Sequence, residues 1–457
     1  MKSSKQNSIS VEVYQVSEIV QAVVRDAPIG TNLALYQGLM TMMSGEMLAS
    51  RGALIPALDS VGMDQAETMR TWQGLAHGSW EINDLLEKLT DKIETEGRWV
   101  STEVGGYRIK ALDTVGYYRP RLQNCETKHY NSTADKALPA INLGQLAMVG
   151  QVDEQKVTVP CAIVRAEGEI QSEEDLMAAL CREAASHLTE EDVTTADRKF
   201  APLTMVKSGI TQVVLRRPKN MTLQRNTPAP YQGKGRRPIY GELIRPLARH
   251  HKTHVIPASA PDAEYAWQEP QADGSSITIT AKLWRDVIPT PQKDWTDEDF
   301  DLIHSVTWTA FVIEHPKFDI PMIVLSTLDL SAPQVNQVVK ARWGIEQPPL
   351  VAKQLLGLHR QFVWSPQMRF RYPELSLLAA GILTYAAACV SAPTPTGWWD
   401  RHPKPTAGRL RRLLIKVDWR KLPLHPRLRE KNAVTAHLPK GRPSLAHRAN
   451  QIQPLLA

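Results

Sequence analysis

The first hundred residues have apolar positions at helical spacing. Between Ile82 and Ile93 the apolar residues recur every three or four positions, which places them on one face of a helix. The segment 59–64 (DSVGMD) interrupts this pattern and predicts a turn between two helices. We therefore predict a helical domain over residues 1–98. Such a domain is either a helix-turn-helix DNA reader or a plain helical bundle.

From residue 99 onward the pattern changes to strands mixed with helices. Residues 107–112 alternate and predict a strand that ends at Asp113-Thr114. The next predicted elements are a hairpin over 146–152 and 157–164, a helix over 172–188 opened by a Ser172/Asp175 capping box, and short strands over 193–196 and 210–215. Asp197 directly follows one of these strands. This order predicts an α/β fold with carboxylates at the ends of strands.

The second half of the chain predicts three further units. Residues 219–328 have Pro and Gly punctuation with strand-type alternation, and we interpret them as an inserted β-rich subdomain. A helix starts at Pro333, and the apolar run 375–390 predicts a buried core helix, since it is short for a membrane span. The basic, Pro-rich tail, 393–457, is predicted to be partly irregular, with too few apolar residues to build a domain. We therefore expect it to become ordered only on DNA or on a partner subunit.

Charge separates strongly along these 457 residues, although the net charge is only +6. Basic residues dominate the tail and a second run over 234–252. Segregated positive charge favours a polyanionic partner, and a solvated basic tail is the alternative. Four cysteines without paired spacing and a polar N-terminus without an apolar signal core indicate a reducing, cytoplasmic compartment.

Three acids in distant parts of the chain are the candidate chemistry. Asp113 and Asp197 each follow a predicted strand, and Glu346 lies on the helix that begins at Pro333. Three carboxylates suit a two-metal phosphoryl-transfer site, and oxygen ligands suit Mg²⁺, with Mn²⁺ as a substitute. Arg342 and Lys353 lie near the acid on adjoining helix faces and could hold phosphates.

These residues resemble the DDE-type transposases of bacterial insertion sequences, in the branch with a YREK signature. The signature places Tyr, Arg, Glu and Lys at positions that hold Val339, Arg342, Glu346 and Lys353 in this chain, so the Tyr is missing. The segment 112–114 (LDT) looks like the first acidic motif, and 196–200 (ADRKF) is similar to the second. The segment 233–241 resembles a basic turn of the family's β-rich insertion. The resemblance covers roughly residues 20 to 390.

The resemblance implies an RNase H-like mixed sheet flanked by helices, interrupted by the β-rich insertion. The implied catalytic domain spans residues 99–218 and 329–392. Asp113, Asp197 and Glu346 would be the catalytic residues and the ligands of two Mg²⁺ ions. The implied partner is double-stranded DNA, both element ends and target, bound by a homodimer that pairs on the DNA. The residues expected to contact DNA are Arg342, Lys353, Arg198, Lys234, Arg236 and Arg237.

Two departures from the family pattern keep other functions open. Val339 replaces the signature Tyr, and Pro348-Pro349 follow Glu346, which predicts that Gln347 is not regular helix. The alternatives are a transposase-derived DNA-binding regulator with weakened catalysis and a metal-dependent nuclease on the same fold. Trp284 and Trp308 could stack on a base, but core positions are the better interpretation.

Overall fold

The computed structural model describes residues 11–119, 121–122, 125–233, 238–251, 254–271, 273–360, 363–390 and 397–430. Its fold is α/β, with a large mixed sheet flanked by helices. The helices are α1 Val11–Val24, α2 Thr31–Met43, α3 Glu46–Ala49, α4 Leu54–Ser60, α5 Gln65–His77, α6 Ile82–Thr95, α7 Glu173–Ala185, α8 Pro202–Lys207, α9 Asp297–His304, α10 Ala332–Arg342, α11 Gln347–Gln354, α12 Met368–Cys389, α13 Ala407–Leu414 and α14 Pro426–Arg429. Short 3₁₀ turns cover Trp343–Glu346, Leu358–Arg360 and Trp419–Lys421.

The strands divide into one large sheet and one small hairpin. They are β1 Trp99–Ser101, β2 Glu103–Val104, β3 Tyr107–Tyr118, β4 Lys128–Asn131, β5 Lys136–Val152, β6 Gln155–Arg165, β7 Asp192–Ala196, β8 Val213–Arg217, β9 Leu223–Arg225, β10 Leu243–Ile244, β11 Arg249–His251, β12 His254–Ile256, β13 Ala263–Pro270, β14 Ser276–Pro289, β15 Trp308–Glu314 and β16 Met322–Ser326. The large sheet has the order β1-β5-β3-β7-β8-β16-β15-β14-β9-β10, with β2, β4, β6 and β13 attached at its sides.

The centre of the sheet combines antiparallel and parallel pairing. β6, β5 and β3 are antiparallel neighbours, whereas β7 pairs parallel with β3 and β8 pairs parallel with β7. α7 connects β6 to β7, and α8 connects β7 to β8. The predicted hairpin and the predicted Ser172/Asp175 capping box at the start of α7 are both confirmed.

The predicted end of β3 at Asp113-Thr114 is wrong. β3 continues to Tyr118 because β5 keeps pairing with it as far as that residue. The parallel neighbour β7 stops earlier, since its last residue, Ala196, pairs with Leu112. Asp113 is therefore inside a strand, at the first position where the neighbouring strand has ended.

The β-rich segment 219–328 extends the central sheet. β16 pairs antiparallel with β8, and β15, β14 and β9 follow in order. Only the β11–β12 hairpin pairs separately among the strands that the structure describes. Trp284 and Trp308 are fully buried in this region, which confirms that both are core residues.

The N-terminal helices share a core with the rest of the protein. Buried residues of α1, α2 and α6 belong to one apolar cluster with α12 and part of β6. The predicted turn over 59–64 is confirmed, since α4 ends at Ser60 and α5 begins at Gln65. Among the described helices, α12 alone is long and apolar enough to cross a membrane, and 94% of its most apolar window is buried inside the protein.

The prediction that the tail becomes ordered only on DNA or on a partner subunit is wrong for residues 397–430. Trp419, Leu422 and Leu428 are buried in the same cluster as the N-terminal helices, and Trp419 meets the Tyr36 ring edge-on at 6.0 Å. The amide of Asn32 donates to the Arg427 carbonyl at 3.1 Å. The few apolar residues of the tail suffice because they complete an existing core instead of forming a new one. Residues 431–457 lie outside the described residues.

Candidate functional site

Asp113 and Asp197 occupy equivalent positions on neighbouring parallel strands. The register pairs Leu112 with Ala196, so Asp113 is the next residue of β3 and Asp197 is the first residue after β7. Neighbouring strands lie about 4.8 Å apart, and residues at matching positions point to the same face of a sheet. Both acids therefore lie on the face that also carries Ile109 and Val193, against which α10 packs. The structure thus brings together two of the three predicted acids through strand register.

Glu346 reaches the same region from a break between two helices. α10 ends at Arg342, a 3₁₀ turn covers Trp343–Glu346, and α11 begins at Gln347. The prediction that Gln347 is not regular helix is wrong. Pro348 and Pro349 fall in the first turn of α11, where the missing N–H groups have no helical acceptor to lose and the fixed φ suits the helix. The helix does break, but before Glu346 and not after it.

Three successive contacts hold this 3₁₀ turn against the sheet. A Cβ at Gly344 would lie 2.1 Å from the Thr158 hydroxyl oxygen on β6, so only glycine fits there. The Ile345 side chain is fully buried in the core that α10 shares with the sheet. The Ile345 carbonyl accepts a hydrogen bond of 3.1 Å from Nε2 of Gln145 on β5. The turn that carries Glu346 therefore has a fixed position over the strands.

Gln145 is a residue that the sequence predictions did not single out. It is fully buried and pairs directly with Asp113 across β5 and β3. A signal was present, because Gln145 is the one polar side chain within the otherwise apolar run 143–149 (LGQLAMV). A polar side chain inside a buried strand costs free energy unless it is hydrogen-bonded. The hydrogen-bond partner of Gln145, the Ile345 carbonyl, therefore indicates the structural role of this side chain.

The charges of the three acids act on one another. Burial raises the pKa of the Asp113 carboxyl to about 6; the positive charge of Arg342 opposes this shift, and the negative charges of Asp197 and Glu346 add to it. Like charges brought close together favour protonation of one member. Asp113 is therefore the acid whose charge interacts with Arg342 and with both other acids, and at neutral pH its ionised form is disfavoured in the folded protein.

The two predicted basic residues of the signature lie near this group of acids. Arg342 is 5% exposed, and its Nη2 lies 3.5 Å from Oε1 of Glu346. The Lys353 ammonium lies 5.1 Å from the centre of the Tyr117 ring, an arrangement that favours the charged amine. Burial lowers the pKa of Lys353, and the negative charge of Asp113 opposes that shift. Arg342 and Lys353 thus supply positive charge on the Asp113 side of the site.

The signature position occupied by Val339 lies in the core. Val339 is 3% exposed and packs with α10 neighbours against the sheet. A residue at this position points toward the strands and away from solvent. The hydroxyl that the family signature would supply here has no counterpart in this chain.

The basic residues near Asp197 differ in burial and in their partners. Arg198 is exposed, whereas Arg217 is partly buried and donates to the carbonyls of Arg198 and Phe200. Burial lowers the pKa of Arg217 to about 10, and the negative charge of Asp197 opposes this shift. Lys199 makes an ion pair of 2.5 Å with Glu173 at the mouth of a groove of about 1010 Å³. Lys234, Arg236 and Arg237 lie outside the described residues.

The donor types fit Mg²⁺, although the three carboxylates do not yet form a metal-binding group. Asp113, Asp197 and Glu346 offer only oxygen ligands, and a divalent cation would offset the repulsion that raises the pKa of Asp113. Among the described residues, no three His, Cys, Asp or Glu side chains already form a metal-binding group. Glu346 is 51% exposed and paired with Arg342, so a cation held by all three acids would have to draw the Glu346 side chain away from Arg342.

Comparisons with known proteins add no information about this site. The sequence matches no model of a known protein family, and a search of curated proteins finds no match.

Proposed function

We propose that the protein is a DNA transposase of the DDE type, which cuts and joins DNA with divalent metal ions. The observation that carries the proposal is the placement of Asp113 and Asp197 at matching positions on parallel strands, with the Glu346 turn pinned above them. Acids from three distant parts of the chain lie near enough for their charges to act on one another, and a two-metal phosphodiester site would use such carboxylates. The positive charge of Arg342 and Lys353 beside them suits the phosphates of a DNA backbone.

The strand arrangement supports an RNase H-like catalytic domain. β6, β5 and β3 form an antiparallel meander, and β7 and β8 follow in parallel on the other side of β3, each after a helix. The acids lie where β3 and β7 adjoin, in the centre of this arrangement. The β-rich segment between Asp197 and Glu346 would correspond to the insertion expected from the family resemblance, and it joins the sheet through the pairing of β16 with β8.

The residues have distinct proposed roles in the reaction. When bound, two Mg²⁺ ions would activate water or a 3′-hydroxyl and stabilise the leaving oxygen of an in-line displacement. Asp113 has charge interactions with both other acids, so it would hold the ions together with Asp197 and Glu346. Arg342 lies beside Glu346 and would contact a phosphate oxygen in place of that carboxylate once Glu346 turns toward the metals. Lys353 would contact a second phosphate as a point charge.

Coordinated joining of two ends needs two protein subunits, and a two-fold dimer is the commonest closed assembly. We propose that the protein pairs on end DNA as a homodimer. The tail segment 397–430 does not need this step to become ordered, because it already packs on the N-terminal helices. Light scattering with and without end DNA measures the pairing, and a stable dimer without DNA contradicts it.

The test uses the purified protein, DNA that carries the gene's flanking sequences, and Mg²⁺ or Mn²⁺. Asp113→Asn, Asp197→Asn and Glu346→Gln are each expected to abolish strand cleavage while DNA binding, measured by fluorescence anisotropy, stays nearly intact. Asp301→Asn, at an exposed position of α9, is the matched control and keeps full cleavage. Undiminished cleavage by Asp113→Asn would remove that residue from the site.

One observation favours the second candidate, a DNA-binding regulator without catalysis. Val339 is buried where the family signature has a tyrosine, so the chain lacks one polar group near the proposed substrate. A regulator binds end DNA with a salt-dependent affinity but yields no cleaved strand in Mg²⁺ or Mn²⁺. The same two measurements therefore separate the two functions.

A further inference from the structure

Gln145 connects two parts of the proposed site that are far apart in the sequence. It lies near the middle of β5, is fully buried and is the cross-strand partner of Asp113. Its Nε2 donates to the carbonyl of Ile345, the residue directly before Glu346, at 3.1 Å. One side chain thus spans from the strand that pairs with Asp113 to the turn that carries Glu346.

The Ile345 carbonyl lies where the helical hydrogen-bond pattern of the backbone is interrupted. Ile345 is in a 3₁₀ turn between α10 and α11, where the regular i to i+4 ladder is interrupted. The N–H of Gln347 bonds to the Gly344 carbonyl, one residue before Ile345. The side chain of Gln145 satisfies the next carbonyl, which directly precedes the glutamate.

The other contacts of the turn fix its depth but not its orientation. Gly344 lies close against Thr158, and Ile345 fills an apolar space, so both limit how near the turn comes to the sheet. These are packing contacts without directional preference. A hydrogen bond has a preferred direction, and Gln145 makes the directional contact at the residue before Glu346.

We propose that Gln145 is a positioning residue, whose carboxamide sets the orientation of the Ile345–Glu346 peptide so that the Glu346 carboxylate can join Asp113 in holding a divalent cation. The inference rests on the proposed function, since it assigns Gln145 a role within that site. Gln145 itself ligates nothing: it acts through the turn. Outer contacts of this kind typically change metal affinity by about 10- to 100-fold when they are removed.

Two variants separate positioning from general stability. Gln145→Leu keeps most of the volume and removes the hydrogen-bond donor. Thr194→Val is the matched control, because it also removes a buried polar atom from the centre of the sheet, one that makes no hydrogen bond among the described residues. Thr194 follows Val193 on β7 and so points to the sheet face opposite the one that packs on α10 and the turn. Both proteins are compared with the wild type as full-length chains, at a temperature below all three melting transitions.

The first readout is hydrogen–deuterium exchange without metal or DNA. In Gln145→Leu we expect the amides of 343–347 to exchange about tenfold faster. The loss of one hydrogen bond lowers the free energy of local opening of this turn by an amount that corresponds to such a factor. Amides on β3 and β7 should stay as in the wild type, and Thr194→Val should leave 343–347 unchanged. Unchanged exchange in Gln145→Leu overturns the inference.

The second readout is Mn²⁺ affinity, followed by electron paramagnetic resonance, in a double-mutant cycle with Glu346→Gln. Gln145→Leu should weaken Mn²⁺ binding about tenfold in the wild-type background and hardly at all when Glu346 is already Gln, because the two residues act through one ligand. An equal loss in both backgrounds assigns Gln145 a merely structural role and overturns the inference.

The outcomes also separate this inference from the proposed function. A wild-type protein that neither binds Mn²⁺ nor cuts end DNA overturns the proposed function and the metal role of Gln145 with it. Metal-dependent cleavage in the wild type, combined with unchanged exchange and unchanged Mn²⁺ affinity in Gln145→Leu, overturns the inference alone.

Discussion

Replacing Asp113 with Asn should make the metal-free protein more stable at neutral pH. The substitution keeps the size of the side chain and removes its charge. That charge is held in a half-buried position, and the negative charges of Asp197 and Glu346 act against it. Replacing an active-site residue often stabilises a protein, because function is maintained there at the expense of stability.

The size of the effect follows from the pKa of Asp113. The folded-state value is raised from 3.8 to about 6, and each unit corresponds to about 1.4 kcal/mol, so the charged form is disfavoured by about 3 kcal/mol. Because the folded state binds this proton more tightly than the unfolded state, folding stability falls as the pH rises from about 4 to about 6. Above about pH 6 the full penalty applies, and below about pH 4 it vanishes.

The assay is thermal unfolding of wild type and Asp113→Asn in a chelator, at pH 4 and at pH 7.5. The variant should melt at a higher temperature at pH 7.5 and at nearly the same temperature at pH 4. Adding Mg²⁺ should raise the melting temperature of the wild type only, because a ligand stabilises the state that binds it. Asp299→Asn is the matched control with the opposite sign, since the hydrogen bond from Lys207 lowers the pKa of Asp299.

Two results would refute this reasoning. A variant that is no more stable than the wild type at pH 7.5 in chelator would mean that the Asp113 charge is not disfavoured in the folded protein. An equal stabilisation at pH 4 and pH 7.5 would mean that the gain comes from packing or hydrogen bonding and not from charge.

Three further predictions concern the surroundings of the site. Trp419→Ala should destabilise the protein by about 3 kcal/mol in denaturant unfolding because Trp419 is buried against the N-terminal helices; Trp398→Ala, at an 81% exposed position, should have no effect. Glu374→Ala should cost about 3 kcal/mol in the same assay, since Glu374 is fully buried and pairs with Arg165 at 2.9 Å; a loss below about 1 kcal/mol contradicts this. Removing residues 431–457 should lower DNA affinity and flatten its salt dependence by about 0.9 for each phosphate that the segment neutralises, without changing the melting temperature; an unchanged slope assigns this segment no role in binding DNA.

Local patterns predicted most elements of the centre of the sheet. The β5–β6 hairpin, the capped helix α7 and the strand before Asp197 each have a signal within a few residues: alternation, a Ser-to-Asp box, or a turn. The length of β3 was not predicted because it depends on β5, which continues to pair with β3 after the local alternation has weakened. Strand ends are set by partners, and a partner distant in sequence leaves no local signal.

The tail shows a second limit of local reasoning. Counting apolar residues after 393 correctly finds too few for a separate core, but the count does not reveal that Trp419, Leu422 and Leu428 complete the core of the N-terminal helices. The same packing gives several basic residues of the tail structural partners; Arg420, for example, pairs with Glu67 at 2.9 Å. A basic composition therefore overstates how many of these charges are available to a nucleic acid.

The break before Glu346 bears on whether the two prolines harm the proposed site. In a continuous α-helix, residues 342 and 346 would lie on nearly the same face, and the glutamate would follow Arg342 into the buried side of the helix. A 3₁₀ turn over 343–346 has three residues per turn in place of 3.6, which rotates Glu346 by roughly 80° relative to that position. Glu346 is accordingly 51% exposed while Arg342 is 6% exposed. The turn thus moves the acid out of the buried side and leaves Pro348 and Pro349 in the first turn of α11, where they favour the restart of the helix. The proline pair is therefore compatible with the local helix geometry, and by itself it gives no reason to regard the proposed site as damaged.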